Sequence, residues 1–124
     1  MDNERLGEHI MNELEKVSFT IIASVGTAKS CFMEAMSAAR IGEFDKANEL
    51  IEEGEAHRIK GHEAHFELIQ KEANGEKTEI GILLMHAEDQ LMASETIKIV
   101  AEEFIHNYSE MAELKKVIAE INGK

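Results

Sequence analysis

The sequence predicts an all-α protein, an antiparallel bundle of three long helices, and three observations support this prediction. The 124 residues contain no proline, which would interrupt helix interiors, and they are rich in Ala, Ile, Leu and Met. Apolar residues recur at steps of three and four along three long segments. Two short breaks containing glycine separate those segments. A chain of this length is expected to form a single domain, residues 1–124.

The first segment is predicted to be a helix from about Glu4 to Ile41. Its apolar stripe keeps the helical repeat throughout, at Leu6, Ile10, Leu14, Val17, Ile21, Val25, Ala28, Phe32, Ala35 and Ala39. Gly42 follows the stripe, and glycine commonly ends a helix because it adopts the left-handed backbone conformation without strain. We therefore expect the first interhelical turn at Gly42.

The second segment is predicted to be a helix over residues 43–73. Its stripe consists of Ala47, Ile51, Gly54, Arg58, Gly61, His65 and Leu68. Gly54 and Gly61 would let another helix approach closely because they carry no side chain. Asn74-Gly75 then supplies the next stop signal.

The third segment is predicted to be a helix over residues 78–121, with Thr78 as its N-cap. One stripe, expected to face the subunit core, consists of Leu83, His86, Gln90, Ala93, Ile97, Val100 and Phe104. A second apolar stripe beside it consists of Ile82, Met85, Met92 and Ile99. Since one stripe can serve the subunit core, the other is available to a partner. We therefore expect a homo-oligomer built through the third helix.

Charge and composition exclude several classes of partner. The formal net charge of −12 would repel nucleic acid and anionic lipid, so neither is an expected ligand. The longest apolar stretch, Val17 to Val25, is far shorter than the ~20 residues of a membrane span, so no direct membrane insertion is expected. The single cysteine excludes an internal disulfide, and the start of the chain does not resemble a signal peptide. A cytoplasmic location is therefore expected.

Asp89 is a candidate metal ligand. It lies between Met85 and Met92, inside the second apolar stripe of the third segment. A carboxylate in an apolar seam is costly unless it is paired, protonated or bound to a cation. If the seam is a symmetry axis, copies of Asp89 would face one another around a hard cation such as Mg²⁺. The alternative is an aspartate that reaches solvent or caps a backbone group.

His86 is a candidate nucleophile. It lies one turn before Gln90 and next to Leu83, where its imidazole is expected to be half-buried. A neutral ring nitrogen can accept a phosphoryl group when a neighbour orients the other nitrogen and an apolar surround limits hydrolysis. The alternative is a packed histidine without chemistry.

Other histidines and the single cysteine are further candidates for chemistry. Three histidines on the second segment could bind zinc with an acidic ligand, although packed or exposed polar residues are the simpler interpretation: His57, His62 and His65. Glu103 and His106 have the Glu-x-x-His spacing of di-iron bundles, but only one copy is evident. Cys31 lies in the middle of a helix and is expected in the core.

Three stretches of the sequence carry a resemblance to a known family. Residues 83–92 read Leu-Leu-Met-His-Ala-Glu-Asp-Gln-Leu-Met. They resemble the active-site segment of the enzyme IIA component of the lactose/cellobiose (chitobiose) family of the phosphoenolpyruvate-dependent sugar phosphotransferase system. That segment usually reads three apolar residues, then His-Ala-Gln-Asp-His-Leu-Met. Residues 38–47 and 62–76 are similar to the family's first turn and to the end of its second helix, and the similarity covers about Glu13 to Glu110.

The resemblance implies a three-helix subunit assembled as a homotrimer. It implies a phosphoryl carrier in which His86 accepts the group from HPr and passes it to a cysteine of the cognate enzyme IIB. The group then reaches a sugar entering through the membrane component IIC, a β-linked disaccharide of the cellobiose, lactose or chitobiose type. Asp89 would meet its symmetry mates around one metal ion per trimer, Mg²⁺.

Two positions in this segment differ from the family's usual sequence. Glu88 stands where glutamine is usual, and Gln90 stands where a second histidine is usual. Gln90 can still orient the imidazole of His86 or hydrogen-bond a phosphoryl oxygen, whereas Glu88 points away from His86 on its own helix. A structural or regulatory bundle without phosphotransfer, and a His-rich metal-binding bundle, remain as alternatives.

Overall fold

The computed structural model describes residues 11–123, which form three helices. Helix α1 spans Glu13–Arg40, α2 spans Phe44–Ala73 and α3 spans Ile82–Asn122. The predicted all-α architecture of three long helices is confirmed. The part of the first predicted helix that precedes residue 11 lies outside the described residues.

The packing of the core gives the direction of each helix. At one end of the bundle, Val25 of α1, Ala64 of α2 and Leu91 of α3 belong to one cluster. The corresponding residues at the other end are Ala39, Ala47 and Tyr108. Residue numbers therefore rise together along α1 and α3 and fall along α2. Helices that are adjacent in the chain run antiparallel, as predicted.

Helix α1 begins with a capping box that was not predicted from the sequence. The Asn12 side-chain oxygen accepts a hydrogen bond from the Glu15 amide at 2.8 Å, and the Asn12 amide donates to the Glu15 carboxylate at 3.4 Å. These reciprocal bonds satisfy amides that have no partner within the helix. Met11 and Asn12 are not helical, so the prediction of one unbroken helix from Glu4 is wrong.

Both predicted glycine stops are confirmed. Gly42 has φ +85°, and its amide and that of Glu43 donate to carbonyls of the last turn of α1, Ala39 at 3.0 Å and Ala38 at 2.9 Å. Gly75 has φ +89° and ends α2 with the same pair of bonds. This is the Schellman arrangement, in which a left-handed residue turns the chain away and pairs the last carbonyls.

The start of α3 differs from the prediction. The helix begins at Ile82 with Gly81 as its N-cap, so Thr78 does not cap it. Gly81 is extended (φ −118°, ψ −179°) and makes no side-chain cap bond. Gly81 and the β-branched Ile80 have lower helix propensity than the Leu- and Met-containing run that follows. The helix therefore starts where that run starts.

The core face of α3 is rotated by one residue from the predicted stripe. The buried residues of α3 are Leu84, Ala87, Leu91, Ser94 and Ala101. Several of these buried residues are small, which lets α1 approach α3 closely. Because the core face does not carry the largest apolar side chains of α3, side-chain size did not identify it. The predicted core residues lie on the flank: Leu83, Gln90, Ala93 and Ile97 are half-buried, and Val100 and Phe104 are exposed. The stripe predicted for α1 is confirmed from Leu14 onward, and the stripe predicted for α2 is confirmed as well, whereas Leu6 and Ile10 lie outside the described residues.

Helix α3 is longer than the other two. Its 41 residues compare with 28 in α1 and 30 in α2, and 41 residues correspond to about 61 Å of helix. Tyr108 packs near Ala39, close to the end of α1, so the last turns of α3 extend beyond the body of the bundle. No helix within residues 11–123 is long and apolar enough to cross a membrane.

Candidate functional site

His86 lies in the second turn of α3, and its side chain is exposed. The expectation of a half-buried imidazole is therefore wrong for this subunit, because His86 belongs to the flank of α3 and not to its core face. Gln90 lies one turn further along the same flank and is half-buried. No hydrogen bond joins the two side chains in the described part of the chain. The geometry leaves the imidazole accessible to a second molecule.

Asp89 lies on the outward face of α3, opposite the core. It is exposed, and the side chains on either side of it are exposed as well, Met85 by 60% and Met92 by 51%. In a single subunit this carboxylate therefore lies in a surface stripe and not in a closed apolar seam. Within residues 11–123, no group of three or more His, Cys, Asp or Glu side chains could hold a metal ion. One subunit supplies one carboxylate here, so a metal site would need symmetry-related copies.

Glu88 points away from His86 and contacts α2. Its carboxylate oxygen lies 3.0 Å from Nδ1 of His65, without the alignment of a hydrogen bond. Both side chains are half-buried, and Nδ1 itself is buried. The expected orientation of Glu88 is confirmed, but nothing in the residue spacing predicted its partner on α2. The charge of Glu88 is therefore directed to the α2–α3 interface.

A network of ion pairs fixes α3 against α2. Arg58 lies 2.6 Å from Glu55 and 3.3 Å from Glu95, and Lys98 lies 3.1 Å from Glu55. The hydrogen bond from Arg58 is the main cause that lowers the pKa of Glu55 to about 2, against an opposing effect of burial. Because α2 and α3 are antiparallel, the same register that pairs Arg58 with Glu95 also brings Glu88 to α2. This network contributes to the register of α3, the helix that carries His86.

A comparison with known protein families covers the segment that carries His86 and shows which family the chain belongs to. The family model described as "PTS system, Lactose/Cellobiose specific IIA subunit" matches residues 16–109, which include His86, Asp89 and Gln90. The chain belongs to the lactose/cellobiose-specific IIA family of the sugar phosphotransferase system. Its members are phosphotransferase components that act in sugar uptake, and the chain is one of them.

Individual members of the IIA family agree with this assignment. The lichenan-specific phosphotransferase enzyme IIA component of Bacillus subtilis is 40% identical over 101 residues, covering 82% of this chain and 92% of the relative. The lactose-specific EIIA component of Staphylococcus aureus is 36% identical over 96 residues, covering 77% and 93%. The crystal structure of the cellobiose-specific enzyme IIA from Bacillus anthracis superposes with a TM-score of 0.82 at 39% identity, covering 84% and 95%.

The other candidate residues of this IIA chain do not form a metal centre. The rings of His62 and His65 stack with centroids 6.4 Å apart, and His62 approaches Glu95 at 4.0 Å. His57 is half-buried and joins no metal-binding group within the described residues. His106 lies 3.4 Å from Glu110, so its acidic neighbour is not the Glu103 of the predicted spacing.

Cys31 belongs to the core of the bundle, as predicted. Its side chain is buried at the α1–α2 contact, where a Cβ built on Gly54 would lie 3.0 Å from the Cys31 Cβ. Burial raises the pKa of the Cys31 thiol, and two nearby glutamates act in the same direction. A protonated, buried thiol is a poor nucleophile.

A shallow apolar groove lies beside the His86 segment. It has a volume of about 350 Å³ and runs between the end of α2 and the start of α3. Its lining includes Leu68 and Ile69 of α2, Ile80 of the connection, and Met85 and Glu88 of α3. In this member of the IIA family, an exposed imidazole and an exposed apolar surface therefore share one end of the bundle.

Proposed function

We propose that this chain is a cytoplasmic phosphoryl carrier whose His86 takes a phosphoryl group from HPr and gives it to a cysteine of enzyme IIB. The observation that carries the proposal is the exposed imidazole of His86 on the region that matches the IIA family. A carrier must offer its nucleophile to two different proteins in turn. An accessible side chain on a rigid helix suits that task, since transfer depends on in-line positioning.

Each transfer exchanges one bond to phosphorus for another. A ring nitrogen of His86 attacks the phosphorus of the HPr phosphohistidine, so a new N–P bond forms as the N–P bond in HPr breaks. In the second transfer the thiolate of the IIB cysteine attacks, an S–P bond forms, and the N–P bond to His86 breaks. The histidine returns to its starting form, ready for another cycle.

The surroundings of His86 would stabilise a negatively charged phosphoryl group on its ring. Side chains of a helix lean toward its N-terminus, so a phosphoryl group on His86 would lie over the first turn of α3. The amides of that turn have no intrahelical partners, and Gly81 supplies no side-chain cap. Their partial positive charge favours a phosphate nearby. The Gln90 amide, one turn further on, can hydrogen-bond a phosphoryl oxygen or orient the ring.

The partners complete the site. The apolar groove next to Met85 offers a contact surface to a docking protein, and the remaining ligands for the phosphoryl oxygens would come from that protein. The net charge of −12 favours a donor with a basic docking face. The rate of association with HPr should then fall as ionic strength rises, and a rate indifferent to salt would contradict this part of the proposal.

The class of transported sugar is proposed from the sugars for which relatives of this chain are named. Relatives of this chain are named for lichenan, oligo-β-mannoside and lactose. We infer uptake of a β-linked disaccharide of the cellobiose, lactose or chitobiose type, through IIB and the membrane component IIC. The carrier itself need not touch the sugar.

We further propose that three copies assemble through the outward face of α3, with their Asp89 carboxylates around one Mg²⁺. The exposed stripe that contains Met85, Asp89 and Met92 supports this assembly, because it is apolar on both sides of the carboxylate. Carboxylate oxygens suit a hard cation, and the ion would offset the repulsion between like charges. Its role would be structural, since Asp89 faces the proposed axis.

The experiment that tests the carrier is intact-mass analysis after incubation with phosphoenolpyruvate, enzyme I and HPr. The native chain should gain one acid-labile phosphoryl group, and His86→Ala should gain none. His62→Ala, which removes an exposed histidine from α2, is the matched control and should be phosphorylated as the native chain is. If an active donor leaves the native chain unmodified, a structural bundle without phosphotransfer becomes the better account.

A further inference from the structure

Glu88 of α3 and His65 of α2 form a contact that the phosphoryl transfer described above does not use. The Glu88 carboxylate lies 3.0 Å from Nδ1 of His65, and the two side chains are 35% and 14% exposed. Glu88 stands two residues after His86, at a position where this sequence differs from the family's usual glutamine. The chain therefore carries a negative charge within the segment that is proposed to receive an anionic group.

The register of α2 and α3 places these two side chains opposite each other. Along α2, His65 follows Arg58 by seven residues. Along α3, Glu88 precedes Glu95 by seven residues, and Arg58 lies 3.3 Å from Glu95. Seven residues are close to two helical turns, so both contacts lie on the same faces of the two antiparallel helices. The packing of whole helices, and not one side-chain rotamer, therefore brings the His65 ring to Glu88.

The chemistry of the two facing atoms requires a proton between them. Nδ1 of His65 is buried and has no hydrogen-bond partner within the described residues. Without a proton, two acceptor atoms would face each other at 3.0 Å, a separation that leaves no room for a water molecule. Imidazole is a stronger base than a carboxylate, so the ring carries the proton. A small rotation of either side chain then gives a charge-assisted hydrogen bond from the ring to Glu88.

This contact keeps a carboxylate out of the groove beside His86. Glu88 lines that groove together with Met85 and Leu68. Within the described part of the chain, His65 is the one side chain with which Glu88 forms an ion pair. Without His65, the half-exposed carboxylate would extend into the groove, where the donor presents its phosphoryl group. Like charges repel at such distances, and the repulsion would oppose transfer of the phosphoryl group.

We propose that His65 is a positioning residue for phosphoryl transfer, because it holds the Glu88 carboxylate at α2 and away from the incoming phosphoryl group. The inference rests on the proposed function, since the position of this charge matters only if His86 accepts a phosphoryl group. A histidine that merely filled space between α2 and α3 would act independently of the charge on Glu88. The two roles can therefore be separated by changing both residues.

A double-mutant cycle tests the assignment on the full chain. For each variant, the rate of phosphoryl transfer is measured at saturating phospho-HPr, together with the phospho-HPr concentration that gives half that rate. His65→Leu removes the proton donor and should lower the saturated rate by about fivefold or more, with a change of less than twofold in the half-saturating concentration. Glu88→Gln alone should stay within twofold of the native rate. The double variant His65→Leu/Glu88→Gln should also stay within twofold, because it has no charge to hold.

Further variants separate the hydrogen bond from the shape of the side chain. His65→Asn places an amide nitrogen near the position of Nδ1 and can donate the same hydrogen bond, so it should keep the native rate within twofold. His65→Ala cannot clash with its neighbours and should be as slow as His65→Leu. His62→Leu makes the same exchange at the exposed neighbouring histidine and should leave the rate unchanged. High salt should narrow the gap between His65→Leu and the native chain, because salt screens the released charge.

The outcomes distinguish this inference from the proposed function. A native rate for both His65→Leu and His65→Ala would overturn the inference. Slow variants that Glu88→Gln does not restore would also overturn it, because they would show that His65 acts through packing and not through the charge that it holds. If the native chain is phosphorylated and every variant reacts equally, the inference alone fails. If the native chain accepts no phosphoryl group from an active donor, the proposed function fails and the inference fails with it.

Discussion

At the scale of single residues, Glu55 shows how α3 is held in place. Its carboxylate lies between Arg58 of its own helix and Lys98 of α3, at 2.6 Å and 3.1 Å. The Arg58 hydrogen bond is the largest of the effects that lower its pKa from 4.5 to about 2. A carboxylate stabilised in its charged form makes the folded state more stable at pH values above its unfolded pKa. The register of α3, and with it the orientation of His86, therefore depends partly on charge.

We predict that Glu55→Gln removes part of the acid sensitivity of the protein. Because the folded pKa of Glu55 is depressed, its contribution is fully present above about pH 4.5 and is lost as pH falls toward 2. The Glu55–Arg58 ion pair is partly exposed to solvent. We therefore expect roughly 1–2 kcal/mol for the contribution of Glu55 to stability, which is less than its full pKa shift would give. Urea unfolding at several pH values measures it. Glu52→Gln, at an exposed position of α2, should keep the acid sensitivity of the native chain; if it behaves as Glu55→Gln does, the prediction fails.

At the scale of helices, two glycines set the distance between α1 and α2. A Cβ at Gly54 would lie 2.5 Å from Cε1 of Phe32, and a Cβ at Gly61 would lie 2.8 Å from Cγ1 of Val25. Phe32 and Val25 are buried, so neither can move away without repacking the core. Close approach of α1 and α2 therefore requires glycine at both positions.

We predict that Gly54→Ala destabilises the protein although alanine is the better helix former. Overpacking against Phe32 should cost about 1–3 kcal/mol, which exceeds the gain of up to ~1 kcal/mol in helix propensity. Gly26→Ala is the matched control, because a Cβ at Gly26 meets nothing within 4 Å, and it should be neutral or stabilising. Urea midpoints measure both variants. A stabilised Gly54→Ala would mean that the contact with Phe32 relaxes at little cost.

Much of this architecture was predictable from the sequence because α1 and α2 each carry one dominant stripe. Their faces follow from residue spacing, and their ends follow from Gly42 and Gly75, which the left-handed backbone of each turn requires. Helix α3 carries apolar residues on several faces, so spacing alone could not choose its core face. Its buried residues include Ala87 and Ser94, which look unremarkable in the sequence. The exposure of His86 could be learned only from the packing of α3 against α1.

The partners of the ionic network could not be predicted for a related reason. Arg58 was expected on the stripe of α2, but the choice of Glu95 as its partner depends on the register between antiparallel helices. The contact of His65 with Glu88 depends on the same register. Neither the spacing along α2 nor that along α3 contains this information. The motif around His86, by contrast, is local in sequence and was recognised from residues 83–92, with residues 38–47 and 62–76 in agreement.

At the scale of the whole molecule, α3 packs one face into the bundle and leaves the opposite face exposed. Leu91 is fully buried against α1 and α2, while Met85 and Met92 on the outward face are largely exposed. Burying such a face against copies of itself would remove apolar surface from water but would bring like charges together at Asp89. The proposed metal ion resolves this conflict, and so its removal should have a measurable cost.

We predict that chelation destabilises the native assembly and leaves Asp89→Leu unaffected. A ligand that binds only the folded assembly at about a hundredfold above its Kd stabilises it by about 2.7 kcal/mol, so EDTA should lower the melting temperature of the Mg²⁺-loaded native protein by several degrees. Asp89→Leu has neither the ligand nor the repulsion, so its assembly should be at least as stable as the native one and indifferent to EDTA. Glu102→Leu, which removes an exposed carboxylate elsewhere on α3, should respond to EDTA as the native chain does. Thermal unfolding and sedimentation with and without EDTA measure these effects. If EDTA changes neither the melting temperature nor the association state of the native protein, no ion holds the Asp89 carboxylates together.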